Sequence, residues 1–374
     1  LRAWLQVLVG HLVLFNSFGL IQSFGIFQPK YEDVLHQTPS TISWIGSVHI
    51  FLVYLMGTFS GRALDAGYYK HCLWVGLVLQ TIGLMVASVS ETYWMAFLFH
   101  GVFQGIGHGL MFCSAVTNTA LYFPKRRMLA MSITSCGGAT GGIIFPAIAK
   151  AVMPRGGLPW TLRAMGFVVL FNSLLICLLA RSKPTKASEP KRPLVDWRAF
   201  KDPAYTLYLL ASLFVFAALW IPYFYFREFT TRTLHIAPTK SFVILVILNS
   251  GGIPGRLVPA WVADQYLGAV NTYIVVLALT ATTLLTWPFV TTATALYIWA
   301  ASYGFCAGGV ASLCQAGITS LHLHSKSQVE GTASDTGLGV KIGMGFSVVA
   351  FASLMGAPVG GELIKAGDGR GEAG

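Results

Sequence analysis

The chain has 374 residues, 55% of them hydrophobic and 10% charged, and a net charge of +11. Soluble domains carry about 25% charged residues, so this chain cannot cover a globule with polar surface, and part of its solvent must be lipid. The basic balance does not point to nucleic acid, because the basic residues fall in short segments between apolar runs, as the positive-inside rule expects of a membrane protein.

A membrane-crossing helix needs about 20 mostly apolar residues. Eleven stretches qualify: 3–27, 42–63, 72–90, 93–123, 128–153, 162–181, 204–229, 241–263, 271–291, 295–321 and 337–364. They are too long and too evenly apolar for barrel strands, so the fold class is an all-α integral membrane protein. The first stretch is too long, and too rich in Gly and aromatics, for a cleaved signal peptide. The chain opens on Leu1, and a short polar leader is expected before it.

The connections then assign sides. The first, with Lys30 offset by Glu32 and Asp33, is not basic. The even-to-odd connections are: Arg62 and Lys70; Lys125, Arg126 and Arg127; and a Pro/Lys/Ser-rich linker with Lys183, Lys186, Lys191, Arg192 and Arg198. These, and the N-terminus, are expected on the cytoplasmic side of the plasma membrane. Arg227, Arg232 and Lys240 dissent from this pattern. The division is a six-helix half at 1–182, a linker at 183–202 and a second half at 203–374, two pseudo-symmetric units of a kind that rock about a midplane site in transporters.

Two charged turns support the repeat. GRALDAGYYKH runs from Gly61 to His71, and a looser echo, GRLVPAWVADQYLG, from Gly255 to Gly268. Glycine lets such a turn tighten. Asp65 is expected to cap the helix that follows it, and Asp264 stands in the equivalent place. Gly61, Arg62, Asp65, Gly67, Asp264 and Gly268 are read as a conformational latch that breaks and re-forms as the halves rock.

These turns resemble the loop signature of the major facilitator superfamily. Four further stretches, SFGIFQPKYED at Ser23, STISWIGSVHIFLVYLMG at Ser40, QGIGHGLMFCSA at Gln104 and KIGMGFSVVAFASLMGAPVGG at Lys341, resemble the fungal branch of its monocarboxylate porters. The resemblance implies a twelve-helix major facilitator fold, of which eleven spans are visible, and movement of small organic molecules. A twelfth span is expected after Ile364, where the chain reads AGDGRGEAG. Proton-coupled lactate carriers of this kind pair a lysine in span one with an aspartate one turn before an arginine in span eight. Arg256 matches the arginine, whereas the other two positions read Gln22 and Gly252. The resemblance then favours efflux of an organic acid or lipophilic secondary metabolite over proton-coupled uptake of a simple monocarboxylate, with protons a candidate coupling ion. A sensor or truncated copy without flux is a further alternative.

Ionisable residues inside spans are functional candidates because burying their charge is expensive. Arg256 leads, in SGGIPGRLVPAW, where Pro254 and Pro259 are expected to break the helix around a cavity. A guanidinium there can hold a carboxylate in a bidentate pair. His11, His49, His100 and His108 read as single histidines scattered over different helices, with His108 in GIGHG the best candidate. Gln22, Asn16, Gln104, Asn249 and Gln315 are uncharged candidates for the cavity wall, or glue between helices. Trp220, Tyr223, Phe224 and Tyr225 read either as cavity lining or as an interfacial belt.

No metal, cofactor or enzyme chemistry is expected. The six cysteines stand singly, and the glycine runs at Gly137 and Gly337 lack a GK[ST] ending and read as packing faces. The spans hold almost no carboxylates from which an acid–base pair could be built.

Overall fold

Local capping chemistry starts several of the helices. Thr38 precedes Pro39, and its hydroxyl accepts the Thr41 amide at 3.3 Å. Asp202 precedes Pro203 and accepts the Ala204 amide at 3.0 Å. Proline at the first helical position lacks only an N–H that would be unpaired anyway.

The computed structural model describes residues 2–124, 126–183, 197–230, 238–330 and 338–371. Their helices are α1 (Arg2–Leu35), α2 (Pro39–Asp65), α3 (Tyr69–Ala87), α4 (Tyr93–Tyr122), α5 (Arg127–Leu179), α6 (Pro203–Leu219), α7 (Ile221–Glu228), α8 (Pro238–Val262), α9 (Gly268–Thr286), α10 (Ala293–Glu330) and α11 (Leu338–Gly371). Lys125, Lys186, Lys191, Arg192, Arg232, Asp335 and Gly337 lie outside the described residues.

Nine helical stretches among these residues are long and apolar enough to cross a bilayer. Two of the nine are double. α5 folds back at Gly157, whose φ of 63° no branched residue adopts easily. The stretch Phe242–Phe289 turns at Gly268, with φ 75°. Counting each as two spans brings nine to eleven, as the hydropathy pattern requires.

The surface away from the core is apolar. Phe171, Leu178 and Phe289 are 62%, 72% and 81% exposed, which only lipid makes tolerable. Exposed aromatics mark both rims: Tyr68, Trp197 and Tyr266 at one end, Trp94 and Trp160 at the other. This is a multi-pass membrane protein.

Two seams join the first six spans to the rest. α2 packs along α11 and α5 along α8. Small residues set their closeness: a Cβ on Gly61 would lie 2.1 Å from the Gly339 carbonyl oxygen, and one on Gly343 would lie 2.4 Å from that of Gly57. α1 is clasped by both arms of α5, through Gly19 against Gly141 and through Asn16, which accepts from Asn172 at 2.9 Å.

Candidate functional site

A narrow cavity lies where the two seams meet. Its walls are largely aromatic: Phe18 of α1, Tyr54 of α2, Phe112 of α4, Phe216 of α6, Trp220 and Tyr223 around the start of α7, and Phe346 of α11. Phe18 and Trp220 face each other nearly parallel, 6.3 Å between centroids and 10° between planes. Polar groups are few. Gln22, Ser135, Arg256 and Gln315 reach the cavity.

Arg256 is 4% exposed. Its Nη1 donates to the Gly252 carbonyl at 2.8 Å and its Nε to the Ser135 hydroxyl at 3.3 Å. No described carboxylate bonds to it. A cation buried this deep is costly unless a charge meets it. Around the same space, Gln22 Oε1, Gln315 Oε1 and Trp220 Nε1 are buried without a partner. The cavity therefore offers a positive charge, a free indole donor and two free amide acceptors between aromatic walls.

Contacts close the cavity at both ends. At the α2–α3 end, Asp65 does not cap the next helix in sequence. Its carboxylate accepts the Gly339 and Val340 amides, at 3.3 and 3.1 Å, at the start of α11. Asp264 likewise accepts the Leu129 amide at 3.0 Å, in the first turn of α5. Each charged turn thus ties one set of spans to a helix N-terminus of the other, where a negative charge is favoured. Gly67 and Gly268, with φ of 87° and 75°, turn the chain just after each aspartate. Thr58 and Ser347 add a 2.6 Å hydroxyl contact on the same seam. At the opposite end, Phe24 meets Phe224 at 5.8 Å, and the Lys150 ammonium sits 4.8 Å over the Phe242 ring.

The family model described as Major Facilitator Superfamily matches residues 8–337. The chain belongs to the Major Facilitator Superfamily. An MFS-type transporter of Gibberella zeae is 38% identical, with 99% of this chain and 81% of that protein aligned. An aspyridones efflux protein of Emericella nidulans is 31% identical over 97% of this chain and 72% of its own length. The human organic anion transporter MFSD10 shares the fold, with a TM-score of 0.71 at 17% identity, over 96% of this chain and 92% of that one.

Within this superfamily transporter, the residues singled out from sequence fall into three groups. Arg256, Gln22 and Gln315 line the cavity. Asn249 stands behind Gln22: its Nδ2 donates to the Gly142 carbonyl at 3.2 Å, and a Cβ on Gly142 would touch both amides. Asn16, Gln104 and His108 lie outside the cavity lining. Asn16 joins α1 to the second arm of α5. His11 does the same for the first arm, bonding the Ile133 carbonyl and the Thr140 hydroxyl.

Beyond the Asp65 cap, three expectations are corrected by the geometry. The histidines are not all scattered: His49, His100 and His108 converge in one cluster. α8 runs helically through Pro254 and Pro259, and the irregular turn follows it at Ala263–Leu267. Trp220, Tyr223, Phe224 and Tyr225 are all under 8% exposed, so they face the protein and not a lipid rim. Sequence reasoning missed Phe18, Tyr54, Phe112, Ser135, Phe216 and Phe346 as lining residues, because helices apolar all round carry no stripe that marks the inward face.

Gly61 gives a direct test of the seam. Gly61→Val is expected to hold α2 off α11 and slow transport roughly 10-fold, since overpacking costs about 1–3 kcal/mol. Folded yield after purification checks that the bundle itself survives.

Proposed function

We propose that this transporter exports an acidic, ring-containing organic metabolite by alternating access, with spans 1–182 and 203–374 rocking as two halves about the cavity. One observation carries the reading: Arg256 is a buried cation without a carboxylate partner, aimed into an aromatic space. A bound anion supplies the missing charge by charge-assisted bonds. The space is narrow in this closed arrangement, and its lining is mostly apolar with a few polar groups, the usual make-up of a small-molecule site. The nearly parallel Phe18 and Trp220 need only a small separation to admit a flat ring.

The resemblance to fungal monocarboxylate porters fits an anionic substrate, and the aspyridones efflux protein among the relatives favours export of a larger product. Gly252 and Gln22 speak against the proton-coupled uptake of a simple monocarboxylate, because neither supplies the ionisable group that such carriers pair with the arginine. Arg62, Lys70, Arg126, Arg127 and Lys183 gather at the Asp65 end, which supports a cytoplasmic assignment for that end and for the N-terminus. A plasma-membrane location follows from the export reading.

The test compares cells with and without the gene, profiling organic acids and secondary metabolites inside and outside. Accumulation of one acidic product inside the deleted strain is expected. Saturable lactate or pyruvate import that collapses with the proton gradient would overturn the reading. Once the product is known, Trp220→Ala is expected to weaken its apparent affinity about 5-fold, the loss of about 1 kcal/mol of ring contact, with a smaller effect on maximal rate.

A further inference from the structure

The cluster beside the cavity has a chemistry that anion binding does not use. His49 Nε2 lies 2.8 Å from His108 Nδ1, with the rings stacked at 5.0 Å. His100 Nδ1 lies 2.8 Å from the Tyr31 hydroxyl, and its ring is 6.2 Å from that of His49. The three imidazoles are each at most 2% exposed.

The local structure is built to bring them together. Gly101, Gly105 and Gly109 recur every four residues on α4, and Cβ atoms there would meet the carbonyls of Ile45, His49 and Leu52. α4 therefore lies against the backbone of α2, which a larger residue would prevent. His100, Gln104 and His108 repeat at the same spacing, so they form a second stripe on α4. His100 sits inside a π-helical turn at Phe97–Phe103, a distortion that recurs at functional sites.

The bonding is incomplete. His108 Nε2 and both polar atoms of Gln104 are buried without a partner. Among the charged or titratable groups facing the cluster, α1 contributes Tyr31, with Lys30, Glu32 and Asp33 in the adjoining turn. α3 has no ionisable side chain between Leu73 and Ala87, and α11 meets α4 through Phe346. In the neutral pair one hydrogen is shared between the facing nitrogens and one sits on an outer nitrogen, so the pair has room for one more proton, and Gln104 has an open acceptor nearby.

We infer that the His49–His108 pair is a proton-binding site, loaded through His100 and Tyr31 and set apart from the Arg256 anion site. The path has direction. Tyr31 lies in the last turns of α1, and His100 is about 10 Å and His108 about 20 Å along α4 from the same end. His100 and His49 meet edge to face, 6.2 Å between ring centroids, so the step between them needs a small movement of the rings. The inner end stops one helical turn from Phe112, a cavity wall. An extra proton here is a buried charge: costly while the end at Tyr31 is closed, and tolerable once water enters. Under the export reading that end faces outward, so a proton taken up there and released on the other side would drive efflux. The proton site itself does not depend on that reading.

The test needs no substrate. The full chain, labelled with ¹⁵N-histidine and held in lipid nanodiscs, is followed by NMR from about pH 8 down to about pH 5, where histidines change charge. Two histidine signals are expected to shift together as one proton is bound. His49→Gln keeps an amide nitrogen near Nε2 and His108→Asn keeps one near Nδ1, so each preserves the bond between the helices but not the proton. In either variant the remaining partner is expected to stop titrating in that range, while the melting midpoint stays within a few degrees. Signals that remain neutral throughout, or that titrate independently and ignore the partner's replacement, would make the cluster interhelical glue and overturn the proposal. If a variant misfolds, the wild-type spectrum still decides whether a coupled pair titrates: two histidine signals moving together support the proposal, and the absence of such a pair overturns it. Either result leaves the anion-export reading to be judged by metabolite profiling.

Discussion

Arg256→Gln is expected to cut export of the acidic product by about 10- to 100-fold at low substrate concentration. Hydrogen bonds to a charged group contribute about 1.5–3 kcal/mol, and each 1.4 kcal/mol is about tenfold in affinity. Glutamine keeps a donor for the Gly252 carbonyl or the Ser135 hydroxyl, so folding is expected to survive. Arg256→Lys is expected to rescue little, because a point charge does not reproduce the planar fork. The complementary variant is Gly252→Asp. A Cβ at Gly252 would come within 2.7 Å of Arg256 Nη1, too close to pack, so the guanidinium must swing aside; the carboxylate can then pair with it and compete with the substrate. That variant is expected to lose anion export while still folding, since the new buried carboxylate has the guanidinium as its partner. Transport assayed in cells, with the melting temperature of the purified protein, checks both. Unchanged export in Arg256→Gln would remove the anion site.

The span boundaries and the charged turns were legible because each rests on a local property. Twenty apolar residues in a row make a span whatever their neighbours are, and a glycine with positive φ is announced by the turn it makes. Gly157, flanked by Pro154 and Pro159, shows the same logic within α5. What the turns bind was not legible. Asp65 lies three residues before Tyr68 but reaches α11, because helix packing brings a distant N-terminus closer than the next helix start. Arg256 stood out as a charge in an apolar span, yet its aromatic company comes from six other helices. The histidine stripe on α4 was half legible: the spacing of His100, Gln104 and His108 is visible in sequence, but the approach of His49 depends on how glycines let α4 rest on α2.

Asp65→Ala combined with Asp264→Ala is expected to give the largest conformational effect. Each aspartate caps the amides of a helix that belongs to the other set of spans, so each bond is expected to hold only while that end is closed. A carboxylate at a helix N-terminus contributes about 1–2 kcal/mol. The two sites share no partner and lie on different seams, so their losses add, to about 2–4 kcal/mol in total. That shifts the balance at this end about 30- to 1,000-fold toward opening. The seam carries its own reporter. Thr58 and Ser347 touch at 2.6 Å between hydroxyls, so Thr58→Cys with Ser347→Cys, in a background with the six native cysteines replaced, is expected to cross-link quickly. The double aspartate variant is expected to slow that cross-link and to lower transport, because a carrier resting open at one end cannot return. Either single variant is expected to fall between. If the cross-link forms as fast without both carboxylates, the glycine packing of Gly57 and Gly61 against Gly343 and Gly339 holds the seam unaided. The aspartates would then only shape their own turns.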